Sequence, residues 1–519
     1  MSAFSTSVSR IAGAVILAAV AGWGVYTFLL KSKEESVITY STSDARNLKG
    51  EFTIALDSWI GYFPFTSPVF GQLMRDDGYR VKIIDDKADY PGRMKRLRAG
   101  DVDFAVCTVD SYLLNGASQK FPGAIVAVID ESKGGDALVA WKDRIANIDE
   151  LKRKAEYAIA FTPASPSEHL LRAVRAHFDA PALLEKRHRV EVDGAEEAFK
   201  RLMAKKVDAA ALWEPHVSEA LAAPGIVKLI GSDDMERLIV DILLVNRRFA
   251  ENNPDMVKLF LKNYFETLRI YQAAPGKLSE NITGQLKLSA AQVAAMLRGV
   301  RWINYAGNAQ WFGIGARETH RRPELVESIH ATVGILTHSG DIASDPLPDR
   351  DPYTIINSAF LRDLPSFSPS LAAVRYEERG NTLIRKFSRL SQGDWNSLGT
   401  VGSLKLRPVS FRSGTEEIDE SGREEVGQIV ESIRHYPNFR ILIKGHSGRR
   451  GDPEANRELS LRRAKAVMDE LVDTYHIDPN RIRIAGAGSA EPLPRQDGES
   501  DASYDARLKR VEIVFLSKK

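Results

Sequence analysis

The stretch "RLRAGDVDFAVCTVDS", residues 96–111, contains the pattern that decides the fold. A basic, amphipathic segment ends at Gly100, an apolar run follows over residues 102–107, and Asp110 and Ser111 come soon after it. This order predicts a helix, then a buried strand, then the start of another helix. Short apolar runs alternate with longer amphipathic segments on both sides of the stretch, which predicts an α/β fold with a parallel sheet covered by helices.

The alternation occurs in two series of similar size. The predicted strands are "FTIAL", "RVKIID", "VDFAVC" and "AIVAVI" in the first series, and "YAIAF", "RVEV", "VDAAAL" and "VKLIG" in the second. Two such series predict two lobes, and one more strand, "DILLVNRRF", follows at residues 241–249. The predicted division is an N-terminal membrane anchor and tether at 1–48, a two-lobed region at 49–370, a connector at 371–400 and a C-terminal α+β domain at 401–519.

The composition excludes several classes of function. Lysine and arginine number 71 and aspartate and glutamate 69, so the net charge of +2 provides no broad cationic field for nucleic acid. Cys107 is the only cysteine, which excludes a disulfide within one chain and a cysteine-rich metal site and predicts a small buried core residue. We find no Gly-x-Ser-x-Gly, Walker or His-Glu-x-x-His motif, which favours a binding protein without cofactor or metal over an enzyme.

Residues 11–30, "IAGAVILAAVAGWGVYTFLL", are uncharged. At about 1.5 Å per residue they span roughly 30 Å, the thickness of a bilayer core, which predicts one N-terminal transmembrane helix. The "AVA" before Gly22 resembles a signal-peptidase site, but the apolar run continues to Leu30, and we therefore favour an uncleaved anchor. The polar residues 31–50 that follow are interpreted as a tether.

Polar and aromatic side chains follow the predicted strands, at the edge where ligands bind in open α/β sheets. "DSWIGYFP" follows the first strand, and "DESKGGDALVAW" leads from the first series toward the second. Serines in "TPASPSEHLL" stand at a predicted helix N-terminus. The candidate ligand-binding residues are Trp59, Gly61, Tyr62, Asp110, Ser111, Ser132, Gly134, Gly135, Asp136, Ser165, Ser167, Trp213, Glu214 and Asp241.

Five motifs together resemble the periplasmic solute-binding proteins of nitrate, sulfonate and taurine type ABC importers. They are "DSWIGYFP", "RLRAGDVDFAVCTVDS", "VIDESKGGDALVAWKDRIANIDELK", "KKVDAAALWEP" and "SDDMERLIVDILLVNRRFAENNPDMVKLFL". The resemblance implies a type II periplasmic-binding-protein clamp that closes on a small molecule and delivers it to an ABC permease in the inner membrane. It also implies that the body of the protein lies in the periplasm, attached by a single membrane pass.

The charge of the ligand stays open at this point. Helix N-termini favour anions, and Lys133 would help to bind one. In contrast, Asp110, Asp136, Glu214 and Asp241 would favour an amine or a polar neutral ligand. Trp59 and Trp213 are also compatible with a plain role in the hydrophobic core.

The stretch "LIKGHSGRRGDPEANRELSLRRAKAVMDEL", residues 442–471, resembles the peptidoglycan-binding domain of the OmpA family. In that family a carboxylate binds the ammonium of the wall peptide's diaminopimelate, and an arginine binds its carboxylate. Arg463 and Asn456 match the family pattern, but Gly448 stands at the position of the expected aspartate, and Asp452 is the alternative carboxylate. The resemblance therefore implies a wall tether with half of its charge pair altered.

These observations predict an anchored solute-binding protein whose C-terminal domain holds peptidoglycan. The alternative is a ligand-sensing or scaffold protein of the cell envelope that acts through the C-terminal domain. In that alternative Arg463 is an ordinary surface arginine of a helix.

Overall fold

The computed structural model describes residues 37–42, 48–178, 180–314, 322–364, 385–412 and 414–518. The predicted membrane segment 11–30 lies outside these ranges, and so do residues 371–384 of the predicted connector. Within the described ranges, no helix is long and apolar enough to cross a membrane.

The described residues form sixteen strands and a larger set of helices. The strands are β1 Ile38–Ser41, β2 Gly50–Leu56, β3 Tyr79–Asp85, β4 Phe104–Thr108, β5 Gly123–Ser132, β6 Asp136–Trp141, β7 Ile159–Phe161, β8 Arg189–Glu191, β9 Ala209–Trp213, β10 Ile226–Gly231, β11 Val240–Asn246, β12 Val300–Trp302, β13 Leu398–Ser403, β14 Arg440–His446, β15 Ile482–Gly488 and β16 Val511–Lys518. The α-helices are Phe63–Thr66, Pro68–Asp76, Tyr90–Ala99, Val109–Ser118, Ile148–Arg153, Pro166–His177, Gly194–Met203, His216–Leu221, Arg247–Asn252, Pro254–Ala273, Pro275–Leu286, Ala290–Arg298, Tyr305–Trp311, Glu324–Ser339, Ala359–Arg362, Gln392–Ser397, Glu420–Arg434, Pro453–Asp473 and Asp501–Leu508.

The stretch that opened the sequence analysis folds as predicted. Helix Tyr90–Ala99 ends at Gly100, whose φ of 82° is the left-handed conformation that glycine adopts without steric cost. β4 follows with all five residues buried, and helix Val109–Ser118 begins directly after it. Cys107 lies in β4 and is buried, as predicted.

The first lobe is built on the sheet β1-β3-β2-β4-β11-β5-β12. β2 runs parallel to β3 and β4, whereas β11 is antiparallel to β4 and to β5. The rings of Phe104 and Phe260 stack at 4.0 Å between their centroids, which joins the sheet to the long helix Pro254–Ala273. Helices therefore cover the sheet, as the alternating pattern predicts.

The second lobe is built on the sheet β10-β6-β9-β7-β8, and two chain crossovers connect it to the first. Residues 133–135 lead from β5 to β6, and residues 232–239 lead from β10 back to β11. β10 and β9 are both antiparallel to β6. The predicted parallel pairing is confirmed for β2 with β3 and β4 and for β7 with β8 and β9. The strands at the crossovers are antiparallel, because a strand that leaves a lobe and one that enters it at the same junction run in opposite directions.

Residues Ile38–Ser41 fall within the segment interpreted as a tether but form β1. β1 pairs antiparallel with β3 and lies at the edge of the first sheet. All four residues are exposed, so backbone hydrogen bonds rather than side-chain burial hold this strand. The sequence pattern gave no signal for it, because an exposed edge strand needs no alternation of apolar residues.

The C-terminal domain is a four-stranded sheet, β13-β16-β14-β15, covered by helices Glu420–Arg434 and Pro453–Asp473. β14 and β15 are parallel and the other pairs are antiparallel. The first strand of this sheet is β13, Leu398–Ser403, which begins inside the predicted connector 371–400. Residues 413 and 519 lie outside the description.

The second lobe and the C-terminal domain share one hydrophobic core. Phe178 of the lobe packs against Tyr436 and Phe515, with ring centroids 5.4 Å and 6.1 Å away. Gly402 of β13 lies so close to Phe178 that an added Cβ would be 2.8 Å from the ring. The C-terminal domain is thus packed on the clamp in this structure.

Candidate functional site

The two crossovers meet at the junction of the lobes and are joined by serine hydroxyls. The Ser232 hydroxyl accepts hydrogen bonds from the backbone N–H groups of Gly134 (2.8 Å) and Asp136 (3.2 Å). It also lies 2.8 Å from the Ser132 hydroxyl, which donates to Asp136 Oδ2 at 2.7 Å. Ser132, Gly134 and Asp136, all predicted as ligand residues, therefore lie at the hinge of the clamp.

The first lobe contributes two adjacent carboxylates, because Asp130 of β5 and Asp241 of β11 are register partners. Trp59 Nε1 donates to Asp130 Oδ1 at 3.3 Å, and the Tyr62 hydroxyl donates to Asp241 Oδ1. Both carboxylates are buried. Gly61 lies directly against this pair, since a Cβ there would be 2.0 Å from Asp130 Oδ2.

Asp110 lies in the first turn of helix Val109–Ser118, where the first lobe meets the second. Its neighbour Ser111 donates to the carbonyl of Ala164 in the second lobe, at 3.5 Å. Asp110 is 1% exposed, and neither carboxylate oxygen has a hydrogen-bond partner among the described residues. A buried hydrogen-bonding group without a partner costs about 1–3 kcal/mol, and a charged group costs more. Folded proteins therefore normally provide a partner for such a group.

The second lobe presents polar groups on the side that Ala164 occupies. Ser165 is the N-cap of helix Pro166–His177 and donates to the Thr162 carbonyl at 2.6 Å. Ser167 and His169 lie in the same helix and are buried. The hydroxyl of Ser167 and both ring nitrogens of His169 are without hydrogen-bond partners in the described part of the chain. Burial lowers the pKa of His169, and the negative charge of Asp110 opposes that shift.

Trp213 ends β9 beside the first crossover, and Glu214 follows it. Trp213 is the register partner of Asp136, and the Glu214 N–H donates to the Gly135 carbonyl at 2.8 Å. Trp59 of the first lobe reaches the same glycine, because a Cβ at Gly135 would be 2.5 Å from its ring. Trp59, Gly135 and Glu214 therefore come together, whereas Trp213 packs at the margin of the second-lobe core.

Burial raises the pKa values of the acidic groups at this junction. The pKa of Asp130 is raised to about 8 and that of Asp136 to about 7, in each case mainly by desolvation. The pKa of Asp241 is raised well above its usual value by burial and by the neighbouring Asp130. Burial also raises the pKa of Glu214, although its carboxylate accepts two hydrogen bonds from Ser218.

Residues that the sequence analysis did not select complete the junction. Asp130 accepts a hydrogen bond from Trp59 of the first lobe, and Ser232 accepts one from the backbone N–H of Asp136. The negative charge of Asp110 acts on the His169 ring. Asp130 stands two residues before the selected Ser132, so the end of "AIVAVID" held a signal for it. Ser232 had none, because its importance comes from a crossover about 100 residues away along the chain.

The predicted wall-binding residues of the C-terminal domain are engaged within the fold. Arg463 Nε donates to the Thr415 carbonyl at 3.0 Å, and the guanidinium lies over Phe411. Asp452 caps helix Pro453–Asp473 by accepting from Ala455 N at 2.9 Å, so it does not fold back toward Gly448. Asn456 donates to the Arg450 carbonyl at 2.9 Å and holds the preceding loop.

A carboxylate from another helix occupies the space beside Gly448. A Cβ at Gly448 would lie 2.5 Å from Asp505 Oδ1, and that oxygen accepts from the Arg449 N–H at 3.2 Å. Lys509 pairs with Asp505 at 3.0 Å. Helix Asp501–Leu508, which carries Asp505, was absent from the sequence interpretation. The altered position 448 therefore leaves room for a carboxylate that comes from a distant part of the chain.

Comparison with known proteins assigns the C-terminal domain. Residues 410–505 match the family model described as the OmpA family. Outer membrane protein Omp38 of Acinetobacter baumannii is 31% identical over 106 residues, which are 20% of this chain and 30% of that protein. The peptidoglycan-associated lipoprotein of Rhizobium meliloti is 30% identical over 103 residues, 20% of this chain and 58% of that one. The chain thus spans less than a third of Omp38, and the C-terminal domain is OmpA-like.

Solved structures match the two lobes. The periplasmic aliphatic sulphonate binding protein SsuA from Escherichia coli is 18% identical and covers 57% of this chain and 94% of its own, with a TM-score of 0.45. The desulfurization enzyme DSZB is 12% identical and covers 61% and 99%, with a TM-score of 0.43. The two lobes, the mixed sheets and the paired crossovers described above define a periplasmic-binding-protein-like fold, as predicted from the five motifs.

Proposed function

We propose that this chain is an extracytoplasmic solute-binding protein that captures a small molecule between its two lobes. One observation carries the proposal: both lobes bring to the same junction buried polar groups that have no hydrogen-bond partner among the described residues. These are the Asp110 carboxylate from the first lobe, and the Ser167 hydroxyl and His169 ring from the second. Such groups are normally satisfied in a folded protein, so a bound solute is the natural partner.

Delivery of the solute belongs to the same proposal. The hinge formed by Ser132 and Ser232 allows the lobes to open and close about two short crossovers. A closed, loaded clamp would dock on an ABC permease, and an uncleaved anchor at residues 11–30 would hold it beside that permease in the inner membrane. The OmpA-like domain would hold peptidoglycan, as the name of the peptidoglycan-associated relative suggests.

A thermal-shift screen of the soluble body against a broad panel of small metabolites tests solute capture. A solute at 100 times its dissociation constant should stabilise the protein by about 2.7 kcal/mol. Ser167→Ala should reduce this stabilisation, whereas Ser118→Ala, an exposed helical serine of the first lobe, should leave it unchanged. Failure of every solute in the panel to stabilise the wild type would contradict the proposal.

A ligand-sensing role is the second candidate, favoured by the contacts of the C-terminal domain with the second crossover. Asn438 Nδ2 donates to the Asp233 carbonyl at 2.7 Å, and the Glu236 N–H donates to the His435 carbonyl at 2.8 Å. A change in the crossover on solute binding would therefore act on the OmpA-like domain. Co-sedimentation with cell-wall sacculi, with and without a stabilising solute, distinguishes the roles: sensing predicts that the solute changes the bound fraction.

A further inference from the structure

We propose that the captured solute is a cation, an organic amine whose charged group is held by Asp110 and the carboxylates beside it. This inference rests on the proposed function, because it names the chemical class of solute for the same junction. It separates this chain from a binder of anions, a choice that the sequence alone left open.

Asp110 is the first reason. It is 1% exposed, and both of its oxygens are without partners in the described structure, although it lies between two lobes that are rich in donors. A carboxylate accepts hydrogen bonds and attracts positive charge, and it has nothing to offer an anion. An ammonium group placed here would satisfy both oxygens and remove the cost of burying them.

The surrounding charge is the second reason. Asp130, Asp136 and Asp241 are each at most 3% exposed, and Glu214 stands at the end of β9 beside them. The negative charge of Asp110 acts on Asp136, and that of Asp136 acts on Asp130. Burial raises the pKa values of Asp130, Asp136 and Asp241, so these groups hold protons near neutral pH and gain negative charge as the pH rises. A cation bound beside Asp110 would favour their charged forms, whereas an anion would disfavour them.

Three basic side chains near this region are held in ion pairs, and a fourth, Arg298, acts electrostatically on Glu214. Arg93 pairs with Asp57 at 3.0 Å and with Asp86. Lys133 pairs with Glu131 at 2.9 Å and donates to the Met235 carbonyl at 3.0 Å.

Arg172, in the helix that carries His169, pairs with Glu168 at 3.0 Å and with Asp341 at 2.7 Å. Arg172 Nη1 has no hydrogen-bond partner among the described residues, but Glu168 and Asp341 offset the charge of this guanidinium, whereas the two oxygens of Asp110 have neither a hydrogen-bond partner nor an ion pair there.

Two aromatic side chains orient two of these carboxyl groups by hydrogen bonds. Trp59 and Tyr62 donate to Asp130 and Asp241, which fixes the direction of each carboxylate without adding positive charge. Asp130 Oδ2 remains without a hydrogen-bond partner in the described residues. The hydrogen bonds from Trp59 and Tyr62 therefore fix these acidic groups in place before a solute binds.

The test is thermal shift with two matched sets of probes. The cations are ethanolamine, 1,4-diaminobutane and choline, and the anions are ethanesulfonate, succinate and methylphosphonate. The inference predicts that at least one cation stabilises the wild type and that no anion does. Stabilisation by an anion, or by a neutral metabolite of the broad panel alone, overturns the inference while solute capture stands; no stabilisation by any of the three cations also overturns it.

The variant Asp110→Asn supplies a second readout. It removes the unpaired charge while keeping the shape, so the unliganded variant should melt at a higher temperature than the wild type, and its affinity for the stabilising cation should fall at least tenfold. Asp130→Asn should weaken binding of the same cation, and it replaces Asp110→Asn as the test variant if Asp110→Asn fails to fold. Asp255→Asn, whose carboxylate is exposed, is the control and should bind like the wild type. Unchanged cation affinity in both site variants would contradict the proposal.

Discussion

Replacing Phe178 with alanine removes the aromatic ring that joins the second lobe to the OmpA-like domain. The ring is fully buried, and its centroid lies 5.4 Å from that of Tyr436 and 6.1 Å from that of Phe515. Loss of a buried phenylalanine costs about 3–5 kcal/mol through lost transfer free energy and the cavity left behind. Each aromatic pair contributes about 0.5–1.5 kcal/mol of its own.

We therefore expect Phe178→Ala to lower the free energy of unfolding by at least about 3 kcal/mol and to separate the unfolding of the C-terminal domain from that of the second lobe. Calorimetry and urea unfolding followed by near-ultraviolet circular dichroism measure both effects. Phe199→Ala is the control, because Phe199 is half-buried in the same lobe and stacks on His216, away from the interface. A loss of less than about 1 kcal/mol with a single joint transition would refute the shared core.

Three further predictions follow from the same structure. Gly448→Asp should not strengthen binding to cell-wall sacculi, because the new Cβ would lie 2.5 Å from the Asp505 carboxylate. Asp505→Asn should weaken this binding, and co-sedimentation measures both variants. Stronger binding by Gly448→Asp would contradict the placement of Asp505. The free energy of unfolding of the unliganded protein should fall as the pH rises from about 4 to about 8, because the raised pKa values of Asp130 and Asp136 make the folded state hold protons that the unfolded state has released. The affinity for a cation should rise over the same pH range. A flat stability profile in a calorimetric pH series would contradict the burial of these carboxyl groups. Ser232→Ala should cost about 1–3 kcal/mol, since two backbone N–H groups lose their acceptor, and denaturant unfolding would exclude this role if the variant matched the wild type.

The elements of the fold were largely predictable, but their directions were not. A buried strand such as β4 is a continuous run of apolar and small residues that ends at a helix start, and the local pattern suffices to place it. The antiparallel pairing of β11 with β4 and β5 depends on the chain crossing between lobes twice, which no local pattern encodes. The exposed strand β1 escaped for the opposite reason, since its pairing involves only backbone groups.

The site was predictable wherever a residue stands directly after a strand. Asp110, Asp136 and Glu214 were selected as residues that follow a strand, Asp241 as the residue that opens the returning strand, and all four are buried. What the sequence could not supply was the pairing state of each charge. The sequence contains basic residues that could neutralise these carboxylates, and only the folded chain shows that Arg93 pairs with Asp57 and Arg172 with Asp341.

The C-terminal domain illustrates the same limit. Gly448 was recognised as a departure from the family pattern, but the carboxylate that lies against it, Asp505, is 57 residues further along the chain in a helix that carries little apolar periodicity. Asp452, the nearer alternative, was already committed to capping its own helix. Proximity in sequence therefore selected the wrong carboxylate for this position.

The most direct test of the whole account is to identify the solute that the protein carries. Mass spectrometry of small molecules released by denaturing the protein, purified from cells that produce it, measures this without a prior choice of ligand. The account predicts one small organic cation in the wild type, strongly reduced in Asp110→Asn and retained in Asp255→Asn. Release of an anion instead, or of the same cation in equal amount from Asp110→Asn, would contradict it.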